Sequence, residues 1–169
     1  MQLENMLQSL KQELDRVPDA GERVKVVADG VADYYGLRSH EVGLFRVNHK
    51  MQEISFVYPV GMGKAGHIPL NFVQSLVART AKELVPVVDN DFVKTRHLFM
   101  LEHMLADKEE RITMQKVMSV PIIADGKARG VIQVGRKADS LAEAGADFTQ
   151  QNLADLVQIA ALLADYDFS

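Results

Sequence analysis

Ser119-Val120-Pro121-Ile122-Ile123-Ala124-Asp125-Gly126-Lys127-Ala128-Arg129-Gly130-Val131-Ile132-Gln133-Val134 is the stretch that decides the fold. Two apolar, β-branched runs flank an Asp-Gly pair, and these two residues accept the positive φ angles that a two-residue hairpin turn demands. The stretch therefore reads as an antiparallel hairpin, residues 117–123 against 128–135. A regular turn puts Met118 opposite Gln133, Val120 opposite Val131 and Ile122 opposite Arg129 on one face. Val117 with Val134, and Ser119 with Ile132, then lie on the other. Gln133 becomes a polar side chain on a largely buried face and needs a hydrogen-bonding partner. A neighbouring loop and a bound ligand both satisfy that need, and the sequence leaves the two open.

Working outward, residues 42–47 and 54–60 read as two further strands around the polar turn Asn48-His49-Lys50. Val85-Pro86-Val87-Val88 is a short strand that its proline marks as an edge. Apolar residues recur at helical spacing in 22–35, which Gly36 terminates, and in 72–83, where Phe72, Val73, Leu76, Val77 and Thr80 share a side. Residues 95–105 form another expected helix, and the charged run 107–111 is a solvated connection. A long helix over 149–166 carries the stripe Phe148, Leu153, Leu156, Val157, Ala160 and Leu163 or Ala164. At the start of the chain Leu3, Leu7, Leu10, Leu14 and Val17 are spaced 4, 3, 4, 3, a short heptad stripe that Pro18 and Gly21 end. The stripe either caps the chain's own core or forms a dimer seam. The expected organisation is an N-terminal helix over 1–18 and one α+β domain over 19–169, with a mainly antiparallel sheet and helices packed on it.

Composition narrows the function classes. The chain has 169 residues, enough for one domain with a sizeable core. A net charge of -4 gives no electrostatic case for nucleic acid. No basic run points to a membrane surface, and no apolar run approaches the roughly 18 residues of a membrane span. The first residues lack a signal-peptide pattern, so cytoplasm is the default compartment. There is no cysteine, which removes disulfides, thiolate metal sites, thiol nucleophiles and thioether attachment of a chromophore.

Several segments together resemble the GAF family. They are Val87-Val88-Asp89 after the helix containing Ser75-Leu76-Val77-Ala78-Arg79-Thr80, the lead-in Gly66-His67-Ile68-Pro69-Leu70, and Ser119-Val120-Pro121-Ile122-Ile123 followed by Asp125-Gly126-Lys127 and Gly130-Val131-Ile132-Gln133-Val134. The resemblance spans roughly residues 22–166, and its weight lies in the order and spacing of the segments. It implies a five- or six-stranded antiparallel sheet. Terminal helices on one face commonly pair with a second subunit, and middle helices and loops on the other enclose a small-molecule pocket. Family ligands include cyclic nucleotides, bilins, haem, amino acids and small anions. The cyclic-nucleotide signature has no match here. Bilin attachment and free-methionine-sulfoxide reduction both need the cysteine this chain lacks. No output segment fits outside the domain, so a signal would pass to a separate partner.

Other motifs weigh less. Gly61-Met62-Gly63-Lys64-Ala65-Gly66 matches G-x-G-x-x-G, with Asp89 23 residues beyond Gly66. Pro59 in the preceding strand, the delay before the next helix and the later hairpin all oppose a dinucleotide site; a lid or entry loop is the plainer reading. His97 and His103 lie about 120° apart on a helix and do not share a metal-binding face. A lone His or Met as axial haem ligand leaves no spacing to read, so the cofactor stays unknown. His40 and His49 read as polar surface residues, and Asp89 as a cap for the following segment. No catalytic motif appears, and an enzyme ranks last. The reading is a small-molecule-binding sensory or regulatory module acting as a homodimer, with an enclosed pocket of roughly 300 Å³ or more. Its expected lining is Phe45, Tyr58, His67, Phe72, His97, Phe99, Met118 and Gln133. The alternative is a degenerate domain kept only for dimerisation or protein interaction.

Overall fold

The computed structural model describes residues 1–59, 67–94 and 113–168. Along them run α1 (Leu3–Arg16), α2 (Ala20–Tyr35), β1 (Val42–Asn48), β2 (Glu53–Tyr58), β3 (Ile68–Pro69), α3 (Leu76–Glu83), β4 (Val87–Asp89), β5 (Met114–Ala124), β6 (Lys127–Lys137) and α4 (Gln150–Leu163). The strands form one six-stranded sheet in the order β3-β2-β1-β6-β5-β4, and every pairing is antiparallel. The glycine-rich loop 61–66, the helix expected over 95–105 and the charged run 107–111 lie outside the described residues.

The turn forms as expected, but the register beyond it shifts. Asp125 and Gly126 have φ of 53° and 75°, the signs of a type I′ turn, and Ala124 pairs with Lys127. Ile123 then pairs with Ala128 while Ile122 pairs with Gly130, so Arg129 is the extra residue of a β-bulge. Every pair further from the turn is therefore displaced by one. Ser119 faces Gln133, Val120 faces Ile132, and Met118 faces Val134. The regular pairing of Met118 with Gln133 is overturned, and the two residues point to opposite faces of the sheet.

One face carries α1, α2 and α4. Its core joins Leu10, Leu14, Val27 and Val31 to Leu44, Met118, Ile132, Leu156 and Ile159. The heptad stripe of α1 thus packs on the chain's own core: Leu10 and Leu14 are buried, with Met6 beside them, while Leu3 and Leu7 are half-buried. In α4 the buried set is Leu156, Ile159, Ala160 and Leu163, a regular i, i+3, i+4, i+7 stripe, and Val157 is 38% exposed. Ile159 takes the place the sequence reading gave to Val157. Thr149 begins this helix with a capping box shared with Asn152. Helix α2 is tied to α4 by Tyr34, whose hydroxyl donates to Asp155, and by Tyr35, whose hydroxyl donates to the Asn152 carbonyl, each at 2.8 Å. Burial, reinforced by the bond to Asp155, pushes the Tyr34 hydroxyl up to about 12.

The other face carries α3 and a short 3-10 turn, Phe92–Lys94. Phe45, Val47, Ile54 and Val131 meet Val77, Ala78 and Ala81 there. Helix α3 starts four residues later than periodicity suggests. Ser75 accepts a hydrogen bond from the Ala78 N–H through its side chain and caps the helix, leaving Phe72 and Val73 in the preceding turn. Strand β4 likewise starts after Pro86, at Val87, and pairs only with β5 as the sheet edge.

Two local constraints hold β1 on β6. A Cβ on Gly130 would lie 2.5 Å from the Phe45 carbonyl oxygen, so only glycine allows the backbones this close. At the other end of the pairing Glu41 is buried; one carboxylate oxygen accepts from the Arg38 N–H and Nε, each at 3.0 Å, and the other from the Lys137 N–H at 2.7 Å. Burial alone would raise its pKa, but the bonds from the Arg38 side chain and from the Lys137 and Arg38 backbones outweigh it, and the net shift is downward.

Two outcomes follow. Gly130→Ala forces a side-chain carbon against backbone that no rotamer change relieves, and urea unfolding is expected to show a loss of about 1–3 kcal/mol. Glu41 has a folded-state pKa below its unfolded value, so its contribution is complete above that unfolded value, 4.5, and disappears as the pH falls through the folded one. Wild type should lose stability on acidification through this window, and Glu41→Gln should be less stable at neutral pH and show a flatter acid limb.

Candidate functional site

The bulge brings buried polar groups together on the α3 face. Gln133 on β6, Ser119 on β5 and Thr80 on α3 are all at most 4% exposed. Thr80 Oγ1 donates to the Leu76 carbonyl at 2.8 Å, the usual back-bond of a helical threonine. Its proton is thereby used, so in the 2.8 Å contact between the two hydroxyls Ser119 Oγ donates to Thr80. Ser119 Oγ in turn accepts from Gln133 Nε2 at 3.2 Å. The result is a directed chain from Gln133 through Ser119 and Thr80 to the backbone of α3. Among the described residues Gln133 makes only this one side-chain hydrogen bond.

The Phe45 ring packs close beside it. Gly43 of β1 pairs with Gln133, and a Cβ placed there would come 3.2 Å from the Phe45 ring and 3.9 Å from Gln133 Cβ. The glycine separates an aromatic ring from an amide on the same face. The Phe45 ring is fixed by Phe56, 4.5 Å away between centroids. An aromatic wall and a single amide are the elements of a site that binds a small, mainly apolar molecule and orients it by one polar contact.

Of the residues expected to line a pocket, Phe45 and Gln133 are brought together here. Met118 lies on the opposite face, fully buried in the core beneath the terminal helices. Tyr58 packs against that same helix-side core. Met118 was placed there by its regular pairing with Gln133, which the bulge at Ile122/Ile123 reverses; Tyr58, an aromatic with a polar tip at a strand end, lies next to a second irregularity between Leu44 and Phe45 opposite β2. His67 stands at the sheet edge, its side chain 55% exposed and 3.5 Å from Glu53. Phe72 lies in the exposed turn before α3, outside the helix that was to carry it. His97 and Phe99 lie outside the described residues. Asp89 accepts from the Asp91 N–H at 2.9 Å, as a cap does. His49 does more than decorate the surface, for its Nε2 donates to the Ala128 carbonyl at 2.6 Å and ties the β1–β2 turn to β6.

Ser119 and Thr80 were the residues missed. Their signal was present in the sequence, as a serine within an apolar strand and a threonine on the apolar side of a helix; what was lacking was the contact between them. Among the described residues no cluster of three or more potential ligands could hold a metal ion, and no helix is long and apolar enough to cross a membrane. Two concavities lie on the helix side, a groove of about 520 Å³ between α1 and α2 and a cavity of about 250 Å³ beside the end of α4.

Comparison with known proteins fixes the fold. No family model matches the sequence, and no curated protein does. Among solved structures, the GAF domain of a phosphoenolpyruvate-protein phosphotransferase from Coxiella burnetii superposes with a TM-score of 0.74 at 14% identity, covering 96% of this chain and 90% of that one. The A. aeolicus nlh2 GAF domain in an inactive state gives 0.67 at 12% identity, covering 96% and 93%. Free methionine-R-sulfoxide reductase from Neisseria meningitidis, in complex with its substrate, gives 0.67 at 17% identity, covering 96% and 86%. At these identities the likeness is one of fold.

Ser119→Ala removes the middle of the polar chain and leaves buried groups on both sides with one partner fewer. Denaturant unfolding should register a loss of about 1–3 kcal/mol. A change within about 0.5 kcal/mol, the range of ordinary surface substitutions, would show that the chain carries no weight.

Proposed function

We propose that this chain, which has the GAF fold, is a regulatory module that binds a small molecule on the α3 face and works as a homodimer through its terminal helices. The observation that supports the first half is Gln133: a buried amide that makes one side-chain hydrogen bond among the described residues, held by Ser119 and Thr80 beside the Phe45 ring. A polar group in such a place is costly unless it meets a partner, and a ligand carrying a matching donor or acceptor provides one. The fold is compatible with such a role, since one protein that shares it is in complex with its substrate and another is a GAF domain in an inactive state. The reading contains no catalytic step. Thiol chemistry is unavailable to a chain without cysteine.

The dimer half needs a seam that the core does not consume. Leu10 and Leu14 are spent on the chain's own core, so Leu10→Asp would unfold the helix layer before it separated any dimer. The exposed flank of α4 remains, with Val157 as its apolar centre. In this reading a ligand shifts the packing of the terminal helices through the sheet they share.

The test is a thermal-shift screen of a metabolite and nucleotide panel on wild type and Gln133→Leu, with sedimentation on wild type and Val157→Asp. A ligand at 100 times its Kd should stabilise wild type by about 2.7 kcal/mol and do so far less in Gln133→Leu. Val157→Asp should sediment as a monomer with unchanged circular dichroism. A panel with no stabilising member, together with no small molecule released from the protein as purified, overturns the ligand. Wild type sedimenting as a monomer at every concentration overturns the dimer.

A further inference from the structure

On the opposite side of the sheet from Gln133, we propose a second small-molecule site, one that takes an amphipathic monoanion of the medium-chain carboxylate type. It goes beyond the reading above and shares no side chain with the Gln133–Ser119–Thr80 chain. The cavity of about 250 Å³ lies between β1, β2, β5 and β6 and the segment that leaves α4. Its floor is mainly aliphatic: Leu44, Ile122 and Leu163 are buried core residues, and Val57 packs against them half-buried, while Phe45, Val47 and Tyr166 complete the apolar lining. Phe168 forms part of the far wall.

The mouth is charged. Arg46 of β1 and Arg129 of β6 both line the cavity, and they sit side by side because Arg46 pairs with Gly130. Arg129 is the extra residue of the bulge, and it keeps the face, beside Ile122, that a regular hairpin would also give it. Its Nη1 donates to the Ala164 carbonyl at 3.0 Å, beyond the last turn of α4, and its Nη2 lies 3.7 Å from Asp167. Arg46 is exposed and makes no side-chain hydrogen bond or ion pair among the described residues.

This arrangement selects a ligand class. Two guanidiniums and one carboxylate line the cavity, leaving one positive charge in excess, which a single anionic group balances. A carboxylate suits the planar, bidentate geometry of arginine. The aliphatic floor suits an unbranched hydrocarbon chain and offers nothing to a polar one. A ligand without a tail, such as a small inorganic anion, would leave the apolar floor unfilled; one without the anionic head would leave Arg46 unpaired. The head would also share Arg129 with the end of α4, so occupancy would bear directly on the helix that packs under both terminal segments.

Octanoate is the probe, with octanol and octylamine as controls, followed by methyl-resolved NMR titration and thermal shift on the full chain. Octanoate should perturb the methyl signals of Leu44, Val57, Ile122 and Leu163 and bind more tightly than either control. Arg46→Gln, an exposed change that leaves the core intact, should weaken octanoate binding roughly tenfold or more, the worth of a lost charge-assisted contact, and leave the binding of octanol unchanged. Gln133→Leu should bind octanoate as wild type does, which separates this site from the one on the α3 face. Octanoate binding no tighter than octanol, binding indifferent to Arg46→Gln, or shifts confined to Val131 and Val77 would each overturn the proposal.

Discussion

The bulge at Arg129 is the constraint on which the rest of the structure depends. Side chains alternate along a strand, so one inserted residue exchanges the faces of everything beyond it. In β6 the insertion places Ile132 and Val134 under the helices and Val131 and Gln133 under α3. Without it Ile132 and Val134 would both turn toward α3 and Gln133 would enter the helix-side core, where Met118 now sits. The polar chain to Ser119 and the separation of Gln133 from Met118 are consequences of that single extra residue.

The elements were legible where the cause is local. Asp125-Gly126 fixes a turn because both residues accept positive φ; Gly36, at φ 67°, ends α2 for the same reason. Thr149 and Ser75 cap helices through their own side chains, although the periodicity of Phe72 and Val73 drew attention away from Ser75. The bulge was not legible, because its cause is distant in sequence. Gly130 must be glycine on account of the Phe45 carbonyl, some eighty residues earlier, and nothing in the hairpin itself reports that contact. An error of one residue in register then put Met118 and Gln133 on one face when the sheet separates them. Gln133 was identified from burial alone, and that argument holds whichever face it takes. Its partners were out of reach of sequence reasoning because Ser119 and Thr80 meet only when α3 lies across the sheet.

The buried polar chain is also the least expected feature in energetic terms. An apolar triad of similar volume would satisfy packing at those positions, and a hydrogen-bonded one returns only a modest net gain. What the hydroxyls and the amide add is direction. Thr80 is committed to its own helix, Ser119 to Thr80, and Gln133 Nε2 to Ser119, so the amide is held in one orientation. A rigid, oriented amide is better suited to recognition than a mobile one, because less rotamer freedom remains to be lost on binding.

Both faces of the sheet are built from the same two strands, and this links them mechanically. On β6, Val131 and Gln133 alternate with Ile132 and Val134; on β5, Ser119 lies between Met118 and Val120, which pack with α4 in one core. Close-packed cores do not absorb sub-ångström displacements smoothly. A force that moves Gln133 relative to Thr80 is therefore delivered through the intervening backbone to Ile132 and Val134, and from them to Leu156 and Ile159. The end of α4 is held separately, by Arg129 on the Ala164 carbonyl and by Tyr166 donating to Asp15 of α1. One end of the terminal-helix layer thus rests on the residues that carry the α3-face amide, and the other on the bulged arginine. The strand that supports both is β6, so its register constrains both layers at once.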